Sequence, residues 1–167
     1  MDYLLTNWLE LAGTLFSFIY LFLSVKQKTG LWIYGFLSAA FYAVVFYQSG
    51  IYALMSIQFY YLFVSVYGWI SWKRGKNADG DDFLIRTTSL KHFLALGLSS
   101  LVLLAIFYFV LRSLTDSTVP GLDAFISAFS VTATWMLARK RIEHWLIWIV
   151  VDALSVGLYI YLELYTT

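Results

Sequence analysis

Residues Ala138–Tyr161 read ARKRIEHWLIWIVVDALSVGLYIY. A basic cluster, Arg139–Arg141, precedes an apolar run from Trp145 to Leu162 that carries one charge, Asp152. A bilayer core about 30 Å thick takes roughly 20 apolar residues of helix to cross. The run therefore predicts a membrane helix entered from its basic end. Five more such runs precede it: Trp8–Val25, Leu31–Tyr47, Ile51–Trp72, Phe93–Leu111 and Leu122–Leu137. They fill most of the 167 residues, of which 61% are hydrophobic and 13% charged. A soluble domain carries about 25% charged residues. The fold class is an all-α membrane protein, a polytopic helical bundle with the lipid bilayer as its solvent.

Composition narrows the function. A net charge of +1 provides no basic field for nucleic acid. The absence of cysteine excludes disulfides and thiolate chemistry. His92 and His144 are too few and too distant in sequence for a metal site. No Ser/His/Asp set, HExxH or glycine-rich phosphate loop is present, so the expectation is a protein that is not an enzyme and has no cofactor. Met1–Asn7 lacks the basic start of a cleavable signal. Pro120 lies between spans, where it can start a helix.

Basic residues set the topology. Lys26 and Lys28 follow the first span. Lys73, Arg74, Lys76, Arg86 and Lys91 follow the third, and Arg139, Lys140 and Arg141 the fifth; only Arg112 falls on the other side. The positive-inside rule puts these three loops in the cytoplasm and the N-terminus outside. Arg74–Lys91, with two glycines and three aspartates, reads as a mobile cytoplasmic loop.

A shift of 113 residues lays the end of the chain on its start. Leu9 falls on Leu122, Phe16 on Phe129, Ser17 on Ser130, Trp32 on Trp145, Ala40 on Ala153, Tyr52 on Tyr165, and Glu10 on Asp123. Both copies start outside, so the repeats are parallel, and an odd linking span must join them. The expected organisation is 1–73 as a first three-helix repeat, 74–91 as the loop, 92–113 as a linker helix, and 120–167 as a second, incomplete repeat. This is three plus one plus three with the last helix missing. The expectation is a C-terminal truncation that transports poorly, the alternative a helix supplied by another chain.

Two polar stripes are candidates for binding. Trp145, Trp148, Asp152, Ser155 and Tyr159 share one face of the sixth helix. Indoles, a carboxylate and a phenol suit a flat, cationic, hydrogen-bonding ligand. Trp145 and Trp148 also fit an interfacial belt. Asp152 within a span costs roughly 2.5–3.5 kcal/mol, which a ligand or a structural hydrogen bond must offset. Gln58, Tyr61, Ser65, Trp69 and Trp72 form a similar stripe on the third helix, where Trp72 reads as belt. Small hydroxyl residues at Thr14, Ser17, Ser24, Ser127, Ser130 and Thr134 read as helix-packing surface, and His144 as interfacial.

NWLELAG (Asn7–Gly13), FYQSGIYA (Phe46–Ala53), YGWISW (Tyr67–Trp72) and the opening stretch with its WLIW motif resemble the PnuC family of bacterial vitamin transporters. That family has a three-plus-one-plus-three core related to the SWEET sugar transporters. The resemblance implies a multi-pass protein of the bacterial inner membrane that takes up nicotinamide riboside by facilitated diffusion. A cytoplasmic vitamin kinase would then trap the product, and the transporter is compatible with a homo-oligomer. It also implies that Trp145 and Trp148 sandwich the ring while Gln58 and Asp152 hold polar substituents. Thiamine or riboflavin are the alternatives within the family. An intramembrane enzyme or a non-transporting assembly subunit are alternatives of another class.

Overall fold

A computed structural model describes residues 8–48, 52–75, 85–115 and 119–161, with the side chains of 52–54 and 158–161 outside its description. Six helices follow in order: α1 Trp8–Val25, α2 Leu31–Gln48, α3 Tyr52–Arg74, α4 Leu90–Leu114, α5 Pro120–Ala138 and α6 His144–Tyr161. Each matches an apolar run to within a few residues, and Pro120 takes the first turn of α5. By length and composition α1, α2, α4 and α5 can cross a membrane. α3 is diluted by its Gln, Ser, Tyr and Trp residues, and α6 is an 18-residue helix whose one charge within the apolar run is Asp152. Among the described residues the only β pairing is an isolated parallel bridge, Arg86 to Arg141.

The chain divides into two compact units, Met1–Leu84 and Ile85–Thr167. In the first, α1 packs on α2 and α2 on α3; in the second, α4 packs on α5 and α5 on α6. Small residues make these contacts close, as the hydroxyl pattern predicts. Ser17 Oγ meets Ser38 Oγ at 2.7 Å, and Ser38 donates to the Gly13 carbonyl at 3.1 Å. Thr14 Oγ1 meets the Tyr42 hydroxyl at 2.8 Å. In the second unit, buried Ser100 and Thr132 join α4 to α5 at 2.8 Å. Apolar packing alone gains little between helices in lipid, so close backbones and hydrogen bonds hold them together.

The 113-residue repeat recurs bond for bond in the α1–α2 and α5–α6 turns. Gln27 N–H donates to the Ser24 carbonyl and Lys28 N–H to Leu23; Lys140 N–H donates to Leu137 and Arg141 N–H to Met136. This is a Schellman cap, which usually puts glycine at its left-handed position. Here Gln27 (φ 51°) and Lys140 (φ 52°) occupy it, at about 1–2 kcal/mol each. The two turns thus share both a hydrogen-bond pattern and a non-glycine residue at the left-handed position. The next helix also starts alike: Leu31, Trp32 and Ile33 donate to Lys28, Thr29 and Gly30, as His144, Trp145 and Leu146 do to Arg141, Ile142 and Glu143. Even the cation on the preceding ring recurs, Lys26 over Phe22 at 4.3 Å and Arg139 over Trp135 at 4.9 Å.

Part of the polar segment read as a mobile loop is anchored. Residues 76–84 lie outside the described residues, but Arg86 to Thr88 lie along the α5–α6 turn. Arg86 N–H donates to the Lys140 carbonyl at 3.0 Å, and Ile142 N–H donates to the Arg86 carbonyl at 3.2 Å. The Arg141 guanidinium donates to the Thr87 carbonyl. The Glu143 carboxylate accepts from Thr88 N–H at 2.7 Å and Thr88 Oγ1 at 2.8 Å. Partial desolvation pushes the Glu143 carboxyl up. The two Thr88 bonds and the Arg141 charge outweigh it and hold the pKa below its ordinary value. Polarity alone reads this segment as solvated because its partners are some 55 residues away in sequence.

Candidate functional site

On α3, Ser65 and Trp69 line a cavity of about 360 Å³ between α2 and α3, together with Trp32 and Phe36. Ser65 is buried, while Trp69 is partly exposed beneath the Lys73 ammonium, 4.2 Å from its ring. Gln58 and Tyr61 are half-buried higher on the same helix, with the Tyr61 ring 5.7 Å from Tyr60. Trp72 departs from the belt expectation. It is 1% exposed and meets Trp32 edge-on at 5.5 Å. Its stripe position near Lys73 fits lipid or protein equally; the packing of α2 against α3 decides for protein.

Trp32 is the residue that the stripe reading missed, although the repeat marks it as the counterpart of Trp145. Its indole lies against Gly68, where an added Cβ would come 2.4 Å from Trp32 Cε2. Only a glycine lets the ring approach the α3 backbone so closely. The Trp32 Nε1 donor is buried with no hydrogen-bond partner among the described residues.

On α6 the packing face and the polar stripe separate. His144 and Val151 are buried, as are their counterparts Leu31 and Ser38 on α2. His144 is thus enclosed rather than open at an interface, with its ring 4.7 Å from that of Trp145. The adjoining stripe is open: Trp145 and Trp148 are half-buried and Asp152 is exposed. Ser155 is turned to its own backbone, donating to the Val151 carbonyl at 2.8 Å. The Tyr159 side chain lies outside the described residues. Gln58 and Asp152 belong to different units.

The counterparts of Trp145, Trp148, Asp152 and Ser155 on α2 are Trp32, Gly35, Ala39 and Tyr42. That flank is the more closely packed of the two, with Gly35 and Tyr42 half-buried. Trp32 and Ala39 are buried, and a Cβ on Gly35 would come 2.9 Å from Tyr20 and 3.4 Å from Ser65 Oγ. On α6 small residues are replaced by an indole and a carboxylate. An open carboxylate in hydrocarbon is too costly unless it meets a cavity, a partner or a ligand. The α6 stripe carries an exposed carboxylate between half-buried aromatic and hydroxyl side chains, and its α2 counterpart carries small and buried ones.

Internal repeats and a polar stripe on a membrane helix are features of many membrane transporters. The family described as nicotinamide mononucleotide transporter matches residues 7–167, and the chain belongs to this family, that of the PnuC transporters. It is similar to the nicotinamide riboside transporter PnuC of Escherichia coli (strain K12), 22% identical over 177 residues that cover 92% of this chain and 74% of that protein. It is also similar to the riboflavin/roseoflavin transporter RibM of Streptomyces davaonensis, 29% identical over 160 residues, covering 90% and 71%. The crystal structure of the vitamin B3 transporter PnuC shares its fold, with a TM-score of 0.72 and 22% identity over 92% of this chain and 67% of that one. The relatives are transporters, which makes this chain a multi-pass membrane transporter and not an enzyme.

Proposed function

We propose that the protein takes up nicotinamide riboside across the bacterial inner membrane by facilitated diffusion, with its N-terminus outside. A cytoplasmic kinase would phosphorylate the entering vitamin, and the added charge would prevent its return. The α6 stripe is the observation that carries this reading. Trp145 and Trp148 would stack on the pyridinium ring, and Asp152 would offset its positive charge. Gln58, Tyr61, Ser65, Trp69 and Tyr159 would supply the remaining polar and aromatic contacts. The organisation is that of a repeat at 1–73, a loop at 74–91, a linker helix at 92–113 and a second repeat at 120–167.

Proteoliposomes separate the steps. Labelled nicotinamide riboside, however slowly this form carries it, should equilibrate without an ion gradient, and should accumulate only when a kinase and ATP are sealed inside. Accumulation above equilibrium without the kinase would overturn facilitated diffusion. Similarity to RibM favours riboflavin as the second reading. Uptake of riboflavin with no uptake of nicotinamide riboside would establish it.

A further inference from the structure

We propose that the second unit binds the phosphate group of an anionic lipid in a small cavity at its basic end, between the start of α4 and the end of α5. The cavity, about 70 Å³, is lined by Thr88, His92, Trp135, Arg139 and Arg141 among others. A space that small takes a single oxyanion group, not a ring-bearing vitamin, so the site is separate from the α6 stripe.

Charge favours an anion. Within 85–92 and 139–143, Arg86, Lys91, Arg139, Lys140 and Arg141 stand against one acid, Glu143. That acid is already engaged by Thr88. Arg139 is exposed and lies over Trp135, with its guanidinium 4.9 Å from the ring centre, and has no ion-pair partner among the described residues. Stacking orients the guanidinium without neutralising it, and a planar guanidinium suits phosphate oxygens. The Arg86–Arg141 bridge and the Arg141 bond to Thr87 fix the second cation of the cavity in place.

A lipid is favoured over a free anion by the surroundings. The exposed apolar side of α4 begins beside His92, with Phe93, Leu94 and Leu98 all open. A headgroup in the cavity would lay its acyl chains along these residues. Basic pockets between membrane helices on the cytoplasmic side are recognised sites for anionic headgroups.

Native mass spectrometry of the purified chain, offered phosphatidylglycerol and phosphatidylcholine together, tests the assignment. Phosphatidylglycerol should be retained in preference. Arg139→Gln should lower its retention about fivefold, the worth of one basic side chain at an anionic surface, while Arg139→Lys keeps most of it. Arg112→Gln, at the far end of α4, should leave retention unchanged and controls for general loss of charge. Equal retention of both lipids, or equal effects of Arg139→Gln and Arg112→Gln, would overturn the proposal. Displacement of phosphatidylglycerol by millimolar inorganic phosphate would overturn the lipid assignment and leave a soluble anion as the ligand.

Discussion

Helices α2 and α6 follow the same kind of turn and align at a shift of 113 residues, and one flank shows their most consequential difference. Both enter from a Schellman turn with a left-handed Gln or Lys, and both bury the same two positions against the preceding helix. On the other flank α2 carries Gly35 and Ala39 where α6 carries Trp148 and Asp152. Trp32 and Ala39 are buried on the first flank, and Asp152 is exposed on the second. The cap and the packing positions are shared, and what the other flank presents is not. A residue's spacing along a stripe does not distinguish the two uses. Trp32 and Trp145 are the same residue at equivalent positions, one buried and the other half-buried, so the neighbouring element decides.

The sharpest way to break this comparison is to exchange the two flanks. Gly35→Trp puts an indole where a single Cβ already meets Tyr20 at 2.9 Å. Overpacking of this kind should cost about 3 kcal/mol or more and remove the monodisperse peak in size-exclusion chromatography. The reciprocal Trp148→Gly should leave thermal stability nearly unchanged and abolish vitamin binding by calorimetry. Similar destabilisation by both would make the α6 flank structural.

A smaller effect is expected within the first unit. Gly68→Ala forces a methyl against the Trp32 ring and should lower stability by about 1–3 kcal/mol. In a double-mutant cycle with Trp32→Leu, most of that loss should disappear, because the clash needs both partners. Additive losses would mean that Gly68 matters for some reason other than the ring.

Asp152→Asn sharpens the functional side. It keeps shape and hydrogen-bonding capacity but removes the charge. Binding of a cationic vitamin should weaken about tenfold, the scale of one charge-assisted hydrogen bond. A neutral analogue should bind as before, with thermal stability unaltered. Equal loss for both ligands would assign Asp152 a structural role.

The smallest effect concerns the two turns, where Glu143 stands in place of Gly30. The Glu143 pKa is held below its ordinary 4.5, so the Thr88 clamp is fully present above that pH. It weakens as pH falls through the lower folded value. Hydrogen exchange at the Arg86 and Ile142 amides should therefore speed up in acid, while the Lys26–Gly30 turn shows no such dependence. Glu143→Gln should raise exchange at Arg86 several-fold at neutral pH, in keeping with about 1 kcal/mol for hydrogen bonds at a partly exposed site. Unchanged exchange in the variant would mean that backbone pairing alone holds the segment.

Much of the fold was legible because it depends on local chemistry. Hydropathy marked the six helices, since hydrocarbon requires every backbone group to be satisfied within the segment. Pro120 marked a helix start, and hydroxyl residues marked packing faces. The repeat was visible in the shared register of Trp32 and Trp145. The candidate site was legible only in part. Ser65 and Trp69 do share a cavity, but Trp32 and Phe36 complete it, and neither belongs to a polar stripe. Trp72 had the sequence context of a belt residue, and its burial against Trp32 came from α2.

By itself, then, the sequence determined which segments are helices, that the protein belongs in a membrane, and that two of its turns share one pattern of residues. These follow from composition and period, which each segment carries within itself. The tertiary structure decided which flank of each helix is covered, which tryptophans are packing and which are open, and that Thr88 engages Glu143. Those outcomes depend on what a distant segment places against a residue, and an indole or a carboxylate has the same local pattern whether a neighbouring helix, a ligand or lipid meets it.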